Sequence, residues 1–290
     1  MASKRRPFKH WLNKASASGT IIIWVAAFFV LNAHAESAWK PPTTPKDDQH
    51  WYPEFPPGPE GAPHPTVPNP GFEEAREDKP AGPKGWAHPD GLTSFWINDG
   101  EHGKVIQLDT DVFETDAKKR QAEFRECMLK KVDPPPITKR EVNDAHQYDA
   151  IGATYGVSIY SEKIACKPKQ AYKVSFDFKG PGGGAMVWVR GWGGLPKDTG
   201  SPNAGEDRRL WETYVSCRTK GEGWRHFEQE FHPTRRPLSK DTVKFIEINY
   251  LRVMLYAFWP RGKYEFDNIK IEEISDEEYF RLKKIDADAK

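Results

Sequence analysis

The sequence predicts an all-β sandwich, because its central region is a succession of short strand-like segments separated by turns. Between about residues 71 and 274, runs of β-branched and aromatic residues alternate with glycine, proline and charged clusters, as in antiparallel sandwiches. The clearest strand is 172–179, in which four apolar residues alternate with four polar ones. This period of two places one face of the strand in a core and the other in water. The glycine-rich segment 180–184 that follows predicts a hairpin turn.

Further strands and two helices complete the predicted order. The strands are expected at about 72–73, 104–109, 153–160, 186–192, 209–217, 224–231, 243–258 and 264–274. Residues Asp116–Lys131 have helical composition and are followed by a run of prolines, which predicts a helical insertion at about 116–131. The capping-box pattern of Ser275–Glu278 predicts a short C-terminal helix that ends near Ile285, within a terminal segment 275–290.

The N-terminal residues 1–35 have the pattern of a secretory signal peptide. Five basic residues precede the apolar run Ile21–Leu31, and the small-residue site at 33–35 places cleavage before Glu36. An uncleaved membrane anchor is the alternative, although the run is shorter than the roughly 20 residues that span a bilayer. Residues 36–70 are rich in proline and are expected to form an extended tether. The expected localisation is therefore secretion, the periplasm or the cell envelope.

The charge of the chain depends on whether the signal peptide is counted. The whole chain has a formal charge of +1, whereas residues 36–290 keep 38 basic and 42 acidic residues, which is a charge of −4. Phosphate binding needs clustered lysine and arginine, so a mildly acidic chain without a basic run argues against nucleic acid as the partner.

Three cysteines are an odd number for an exported protein. Cys166 and Cys217 flank predicted strands and can pair, which would leave Cys127 free on the predicted helix. The alternative is three reduced and partly buried thiols, since free cysteine often packs as a small apolar residue. The spacing contains no C-x-x-C pair, so it gives no support to redox, zinc-knuckle or haem chemistry.

Two segments predict a ligand-binding face. In 187–192, valines alternate with two tryptophans and an arginine, and in 251–258 apolar residues alternate with a second mixed row. The residues expected to line the face are Trp188, Arg190, Trp192, Arg252 and Tyr256. Large aromatic side chains on an exposed strand face usually meet a ligand, and a sugar ring offers C–H groups for stacking and hydroxyls for arginine. The alternative is that these rows are themselves core, because a strand covered on both faces carries two apolar rows.

Short motifs at the two ends of the β-rich region add a resemblance. The first is Asn69-Pro70-Gly71-Phe72-Glu73, which precedes Trp86, and the second is Phe266-Asp267-Asn268-Ile269. Together they resemble the first and last strands of carbohydrate-binding-module-like (galactose-binding-like) domains, over roughly residues 67–274. The resemblance implies a jelly-roll β-sandwich, here with a helical insertion and a short C-terminal helix.

The resemblance also implies a structural calcium ion near the junction of the first and last strands. Glu73 and Asp267 occupy the matching positions, and Asn69 and Asp109 are further candidate ligands. Hard oxygen ligands suit Ca²⁺, which usually takes about six to eight of them. The alternative is that these side chains face solvent at the ends of strands.

Three functions are compatible with these features, and the aromatic and arginine rows favour non-catalytic binding of a polysaccharide or other glycan. A structural or adhesive envelope protein would use the same rows to bind another protein. A polysaccharide-degrading enzyme would need two opposed carboxylates. Glu228 and Glu230 share one strand face, but their alternation with Phe227 and Phe231 already explains them as a solvated face.

Overall fold

A computed structural model describes residues 67–167, 169–194, 207–218, 223–233, 235–239, 242–245 and 248–288. The predicted signal peptide, with its alternative as a membrane anchor, and nearly all of the predicted tether lie outside the described residues. Within the described ranges, no helix is both long enough and apolar enough to cross a membrane.

Strands dominate the described part of the chain. The strands are β1 (Ser94–Asp99), β2 (Gly103–Asp109), β3 (Val157–Tyr160), β4 (Ile164–Ala165), β5 (Ala171–Lys179), β6 (Ala185–Gly194), β7 (Asp207–Ser216), β8 (Arg225–Phe231), β9 (Arg235–Ser239), β10 (Thr242–Phe245), β11 (Tyr250–Ala257) and β12 (Lys263–Ile274). The α-helices are α1 (Glu114–Lys130) and α2 (Asp276–Asp288), and the 3-10 helices are η1 (Asp144–Asp149) and η2 (Ile151–Ala153).

Two antiparallel sheets are formed by a nested pairing of strands. The first sheet has the order β1-β2-β12-β5-β8, and the second has the order β3-β11-β6-β7, with β4 also paired to β11. Eight strands, four from each sheet, pair from the outside inwards: β2 with β12, β3 with β11, β5 with β8, and β6 with β7. This nested order is that of a jelly roll, which confirms the predicted fold class. Strands β9 and β10 form a separate hairpin.

The core lies between the two sheets and is built from alternate side chains of their strands. Phe176, Phe178 and Phe266 from the first sheet join Val189 and Val253 from the second in one fully buried cluster. Burying a side chain of this size stabilises the fold by about 1.5–3 kcal/mol relative to leaving it exposed. The apolar residues that recur with a period of two in the sequence are therefore the ones that form the contacts between the sheets.

Both predicted helices are present. Arg120 anchors α1, because its buried guanidinium donates from Nε to the carbonyl of Asp90 at 2.6 Å and from Nη1 to that of Pro135 at 2.9 Å. Helix α2 follows β12, and the N–H of Glu278 donates to Ser275 Oγ at 3.1 Å, as the capping pattern predicts.

Some predicted strands differ from the observed ones. Phe72 does not open a strand, because its φ of +57° is left-handed; its ring packs against Trp86 with centroids 4.9 Å apart. The segment expected as strand 153–160 begins with the end of η2, and the segment expected as 243–258 is divided between β10 and β11. The sequence pattern also does not predict β1.

Of the two alternatives for the cysteines, the structure supports three free thiols and not a Cys166–Cys217 disulfide. Cys166 follows β4 and Cys217 follows β7, at opposite edges of the second sheet, with β11 and β6 between them. Three strand spacings amount to about 14 Å, whereas a disulfide needs Cα atoms closer than about 7 Å. Burial raises the pKa of the Cys166 thiol to about 11, which keeps it protonated at neutral pH.

Candidate functional site

Strand β6 directs the first predicted row of side chains to the outer face of the second sheet. Val187 and Val189 are fully buried in the core. Strand alternation then places Trp188 and Arg190 on the opposite face, where both are partly exposed. The outer face of β6 is therefore a mixed aromatic and cationic surface.

Strand β11 lies beside β6 and adds the second predicted row to this face. Arg252 is directly opposite Arg190, and Met254 is directly opposite Trp188. The alternate residues of β11 are fully buried; they are Leu251, Val253, Leu255 and Ala257. The two predicted rows are thus neighbours on one sheet.

Two further strands extend this face into an aromatic platform, defined as the row Tyr160, Met254, Trp188 and Tyr214. Tyr160 of β3 is opposite Met254, and Tyr214 of β7 is opposite Trp188. The ring centroids of Trp188 and Tyr214 are 4.7 Å apart. Tyr214 is 47% exposed, so the platform is open to solvent at its β7 end. Sequence reasoning missed both tyrosines, because their place in the row depends on strand register and not on alternation within one strand.

Two guanidinium groups lie beside the platform. The Nε of Arg190 is 3.2 Å from a carboxylate oxygen of Glu212, and its Nη1 donates to the hydroxyl of Tyr160. The Nε of Arg252 donates to the carbonyl of Ser161 at 3.0 Å. Both guanidinium carbons also lie within cation–π range of the Tyr160 ring, at 5.7 Å for Arg190 and 5.0 Å for Arg252. These contacts hold the two arginines in defined positions on the sheet face.

Trp192 lies on the same face but is covered. It is opposite Tyr250 of β11, the two rings are nearly parallel with centroids 6.3 Å apart, and Trp192 is only 5% exposed. The pairing of β6 with β7 shifts register between Gly191 and Trp192. The expectation that the Trp192 ring is open is therefore corrected, and Trp188 is the tryptophan that the platform presents.

Tyr256 lies towards the other end of β11, and its hydroxyl is already engaged. It is opposite Met186, its hydroxyl donates to the carbonyl of Tyr155 at 3.0 Å, and its ring stacks on Phe258 with centroids 5.7 Å apart. Burial raises the pKa of this hydroxyl. Tyr256 therefore borders the platform and can offer a ligand its ring.

Of the four predicted calcium ligands, Glu73 and Asp267 are close together. Both flank Gly71, where a side-chain carbon would lie 4.0 Å from Glu73 Cγ and 3.8 Å from Asp267 Oδ1. Burial raises the pKa of the Asp267 carboxyl, although its Oδ2 is 2.9 Å from His102 Nδ1. Its Oδ1 is buried and has no hydrogen-bond partner among the described residues. The Oδ1 of Asn268 also lies 3.7 Å from the same point at Gly71.

The other two predicted ligands are engaged elsewhere. The side-chain amide of Asn69 bonds to the backbone of Glu74 and Lys84. Asp109 is at the end of β2, and its carboxylate is 2.7 Å from Lys139 Nζ. The carboxylate of Glu73 accepts the backbone N–H of Lys104 at the other end of β2. The length of β2, about 17 Å from Lys104 to Asp109, therefore separates Glu73 from Asp109. In the described ranges, no three His, Cys, Asp or Glu side chains form a group that could hold a metal ion.

The carboxylates considered for catalysis are held by lysines. Glu228 is 3.5 Å from Lys173, and Glu230 is 3.1 Å from Lys283. Both acids belong to β8; the Glu228 side chain is 56% exposed, as alternation along the strand predicts, whereas that of Glu230 is only 12% exposed beside Lys283 of α2.

Comparison with known proteins finds likeness at the level of solved structures. No protein-family model matches the chain, and no curated protein gives a significant match. The chain is similar to a candidate sugar-binding protein of Bacteroides thetaiotaomicron (10% identity, TM-score 0.41), over 72% of this chain and 100% of that one. It is also similar to a family 16 carbohydrate-binding module (13% identity, TM-score 0.34), over 66% of this chain and 92% of that one.

A third similar structure is the enzymatically active domain of tailspike protein 4 of bacteriophage CBA120. The identity is 9% and the TM-score 0.34, and the match spans 66% of this chain but only 20% of the tailspike chain. The jelly-roll assignment follows from the strand order.

Proposed function

We propose that this protein is an exported, non-catalytic glycan-binding protein whose site is the aromatic platform with Arg190 and Arg252. The observation that carries the proposal is the row of three accessible rings, Tyr160, Trp188 and Tyr214, on β3, β6 and β7, flanked by two guanidinium groups on the same face. A sugar ring can lay its C–H groups on Trp188 and Tyr214, and its hydroxyls can bind the polar groups of Arg190 and Glu212. Export is proposed from the signal-peptide pattern of residues 1–35.

The Trp188→Ala variant tests this function. Removing the central ring of the platform is expected to weaken about 30-fold the binding of any polysaccharide that the unmodified protein binds, because central aromatic anchors contribute about 2 kcal/mol or more to recognition. Isothermal titration against a panel of plant, algal and bacterial polysaccharides measures this loss. The melting temperature is expected to change little, since the ring lies outside the core between the sheets.

Trp224→Ala is the matched control for this variant. Trp224 directly precedes β8 of the first sheet, and its ring stacks on that of His102 with centroids 3.9 Å apart. Its removal should leave glycan binding unchanged. Absence of binding across the whole panel, together with capture of a defined protein partner through Trp188 and Tyr214, would show instead that the platform serves adhesion between proteins.

A calcium ion at Glu73 and Asp267 is part of the proposal. The unpartnered Oδ1 of Asp267 and the amide oxygen of Asn268 lie near Gly71, and Glu73, whose Cγ lies near the same point, adds a carboxylate; hard oxygen donors of this kind suit Ca²⁺. Such an ion would join the segment before β1 to the last strand, β12. Backbone carbonyls and water would complete its coordination.

Chelation tests the calcium proposal. Calcium at about 100 times its dissociation constant adds about 2.7 kcal/mol of stability, so excess EDTA is expected to lower the melting temperature by about 5–10 °C. Asp267→Asn should abolish this calcium-dependent increment, whereas Asp109→Asn should keep it. An equal melting temperature with calcium and with EDTA would rule out a stabilising ion at this site.

A further inference from the structure

The two arginines beside the platform are directly opposed cations. Arg190 and Arg252 are cross-strand partners on the same face of β6 and β11. Like charges in this relation destabilise a sheet, because their side chains project from Cα atoms only about 5 Å apart. Such a pair in the middle of a partly exposed face points to a partner of opposite charge.

The described carboxyl groups near these arginines are shared with other cations. Glu212 is shared, at 3.2 Å from Arg190 and 3.5 Å from Arg209. Burial raises the pKa of the Glu162 carboxyl, against the attraction of Arg76, whose Nη1 lies 3.6 Å from its Oε1, and of Arg252. Among the described residues, Arg190 and Arg209 therefore share Glu212, and Arg252 shares Glu162 with Arg76.

The guanidinium groups are held over aromatic rings as well as against polar atoms. The Arg252 guanidinium carbon lies 5.0 Å from the centre of the Tyr160 ring, and that of Arg190 lies 5.2 Å from the Trp188 ring. A planar guanidinium carries parallel N–H donors that match two oxygens of a carboxylate or a sulfate. An acidic group between these arginines would thus lie beside the ring on which a sugar can stack.

We propose that the ligand is an anionic glycan, with a carboxylate or sulfate group bound between Arg190 and Arg252 and its sugar ring against Trp188. This inference rests on the proposed glycan-binding function and specifies its ligand class. A uronic acid and a sulfated sugar share the oxyanion that the two guanidinium groups recognise. Residues 36–290 have a net charge of −4, so overall charge does not favour a polyanion and the preference must come from this face.

Binding to three polymers tests the ligand class. The protein is titrated with polygalacturonate, a sulfated galactan and a neutral β-galactan at 50 and at 300 mM NaCl. At low salt, one of the acidic polymers is expected to bind at least tenfold more tightly than the neutral one, and this advantage should shrink at high salt. Whether polygalacturonate or the sulfated galactan binds more tightly identifies the acidic group as carboxylate or sulfate.

Arginine variants test the assigned position. Arg252→Gln is expected to weaken binding of the acidic polymer about tenfold, and Arg252→Lys less, because lysine keeps the charge but lacks the planar pair of donors. Arg225→Gln on β8, in the first sheet, is the matched control and should bind like the unmodified protein. Melting curves establish that each variant is folded.

The outcomes separate this inference from the function on which it rests. Binding of neutral β-galactan as tight as that of both acidic polymers, and still lost in Trp188→Ala, would overturn the anionic ligand while keeping glycan binding. No binding to any polysaccharide would overturn both. If Arg252→Gln fails to fold, the polymer preference of the unmodified protein and its salt dependence still decide the question.

Discussion

Replacing Asp90 by alanine is expected to lower the free energy of unfolding by about 3 kcal/mol or more, because one buried carboxylate organises the turn before β1. Its Oδ1 accepts the N–H groups of Leu92 at 2.8 Å, Thr93 at 2.7 Å and Ser94 at 3.0 Å. Its Oδ2 accepts the Thr93 hydroxyl at 2.7 Å. Hydrogen bonds to a charged group contribute about 1.5–3 kcal/mol each, and alanine would leave these buried donors without an acceptor. Denaturant unfolding measures the loss.

Asp90→Asn is the matched control for this substitution. An asparagine keeps one side-chain oxygen for the three backbone N–H groups and gives up only the acceptor for Thr93. Its loss of stability should therefore be less than half of that in the alanine variant. Similar losses in both variants would mean that the negative charge, rather than the geometry of the turn, stabilises this segment.

Gly184→Ala is expected to destabilise the protein by about 3 kcal/mol or more, because the chain before β6 passes too close to the chain after β11. A side-chain carbon at Gly184 would lie 1.8 Å from the carbonyl oxygen of Trp259 and 2.6 Å from its nitrogen. Backbone atoms cannot move aside as the end of a flexible side chain can, so overpacking here must displace one strand end. The N–H of Phe258 also donates to the carbonyl of Gly184 at 2.7 Å, and this contact would be lost.

Gly100→Ala provides the comparison for Gly184→Ala. Gly100 lies in the turn between β1 and β2, and a side-chain carbon there would meet no atom within 4 Å. The free energy of unfolding of this variant, measured by thermal unfolding, should stay within about 0.5 kcal/mol of that of the unmodified protein, as for an ordinary surface substitution. If the free energy of unfolding of Gly184→Ala also stays in that range, the backbone at Gly184 and that at Trp259 are farther apart in solution than in this structure.

The sequence predicts those features of the site that depend on one strand alone. The orientation of Trp188 and Arg190 follows from the apolar Val187 and Val189 that alternate with them, because successive side chains alternate across a strand. The same rule orients Arg252 on β11. The opposition of Arg252 and Arg190 does not follow from either segment alone, since it depends on the register between strands.

The remaining differences arise where local geometry interrupts a regular pattern. Trp192 lies on the same strand face as Trp188, but it is buried. The register of β6 with β7 shifts beside it, and the ring of Tyr250 stacks on it. Phe72 belongs to the motif expected to open the first strand, yet its positive φ places it in a turn. The choice between a Cys166–Cys217 disulfide and free thiols could not be made from the sequence, because flanking a strand says nothing about which edge of the sheet that strand occupies.

The nested order of strands also has a consequence for biosynthesis. The third position of the five-stranded sheet is occupied by β12, which is the last strand to be synthesised. Until Lys263–Ile274 has left the ribosome, β2 and β5 have no common neighbour and each keeps an open edge that can pair with another chain. The sandwich can therefore close only after translation of the domain is complete.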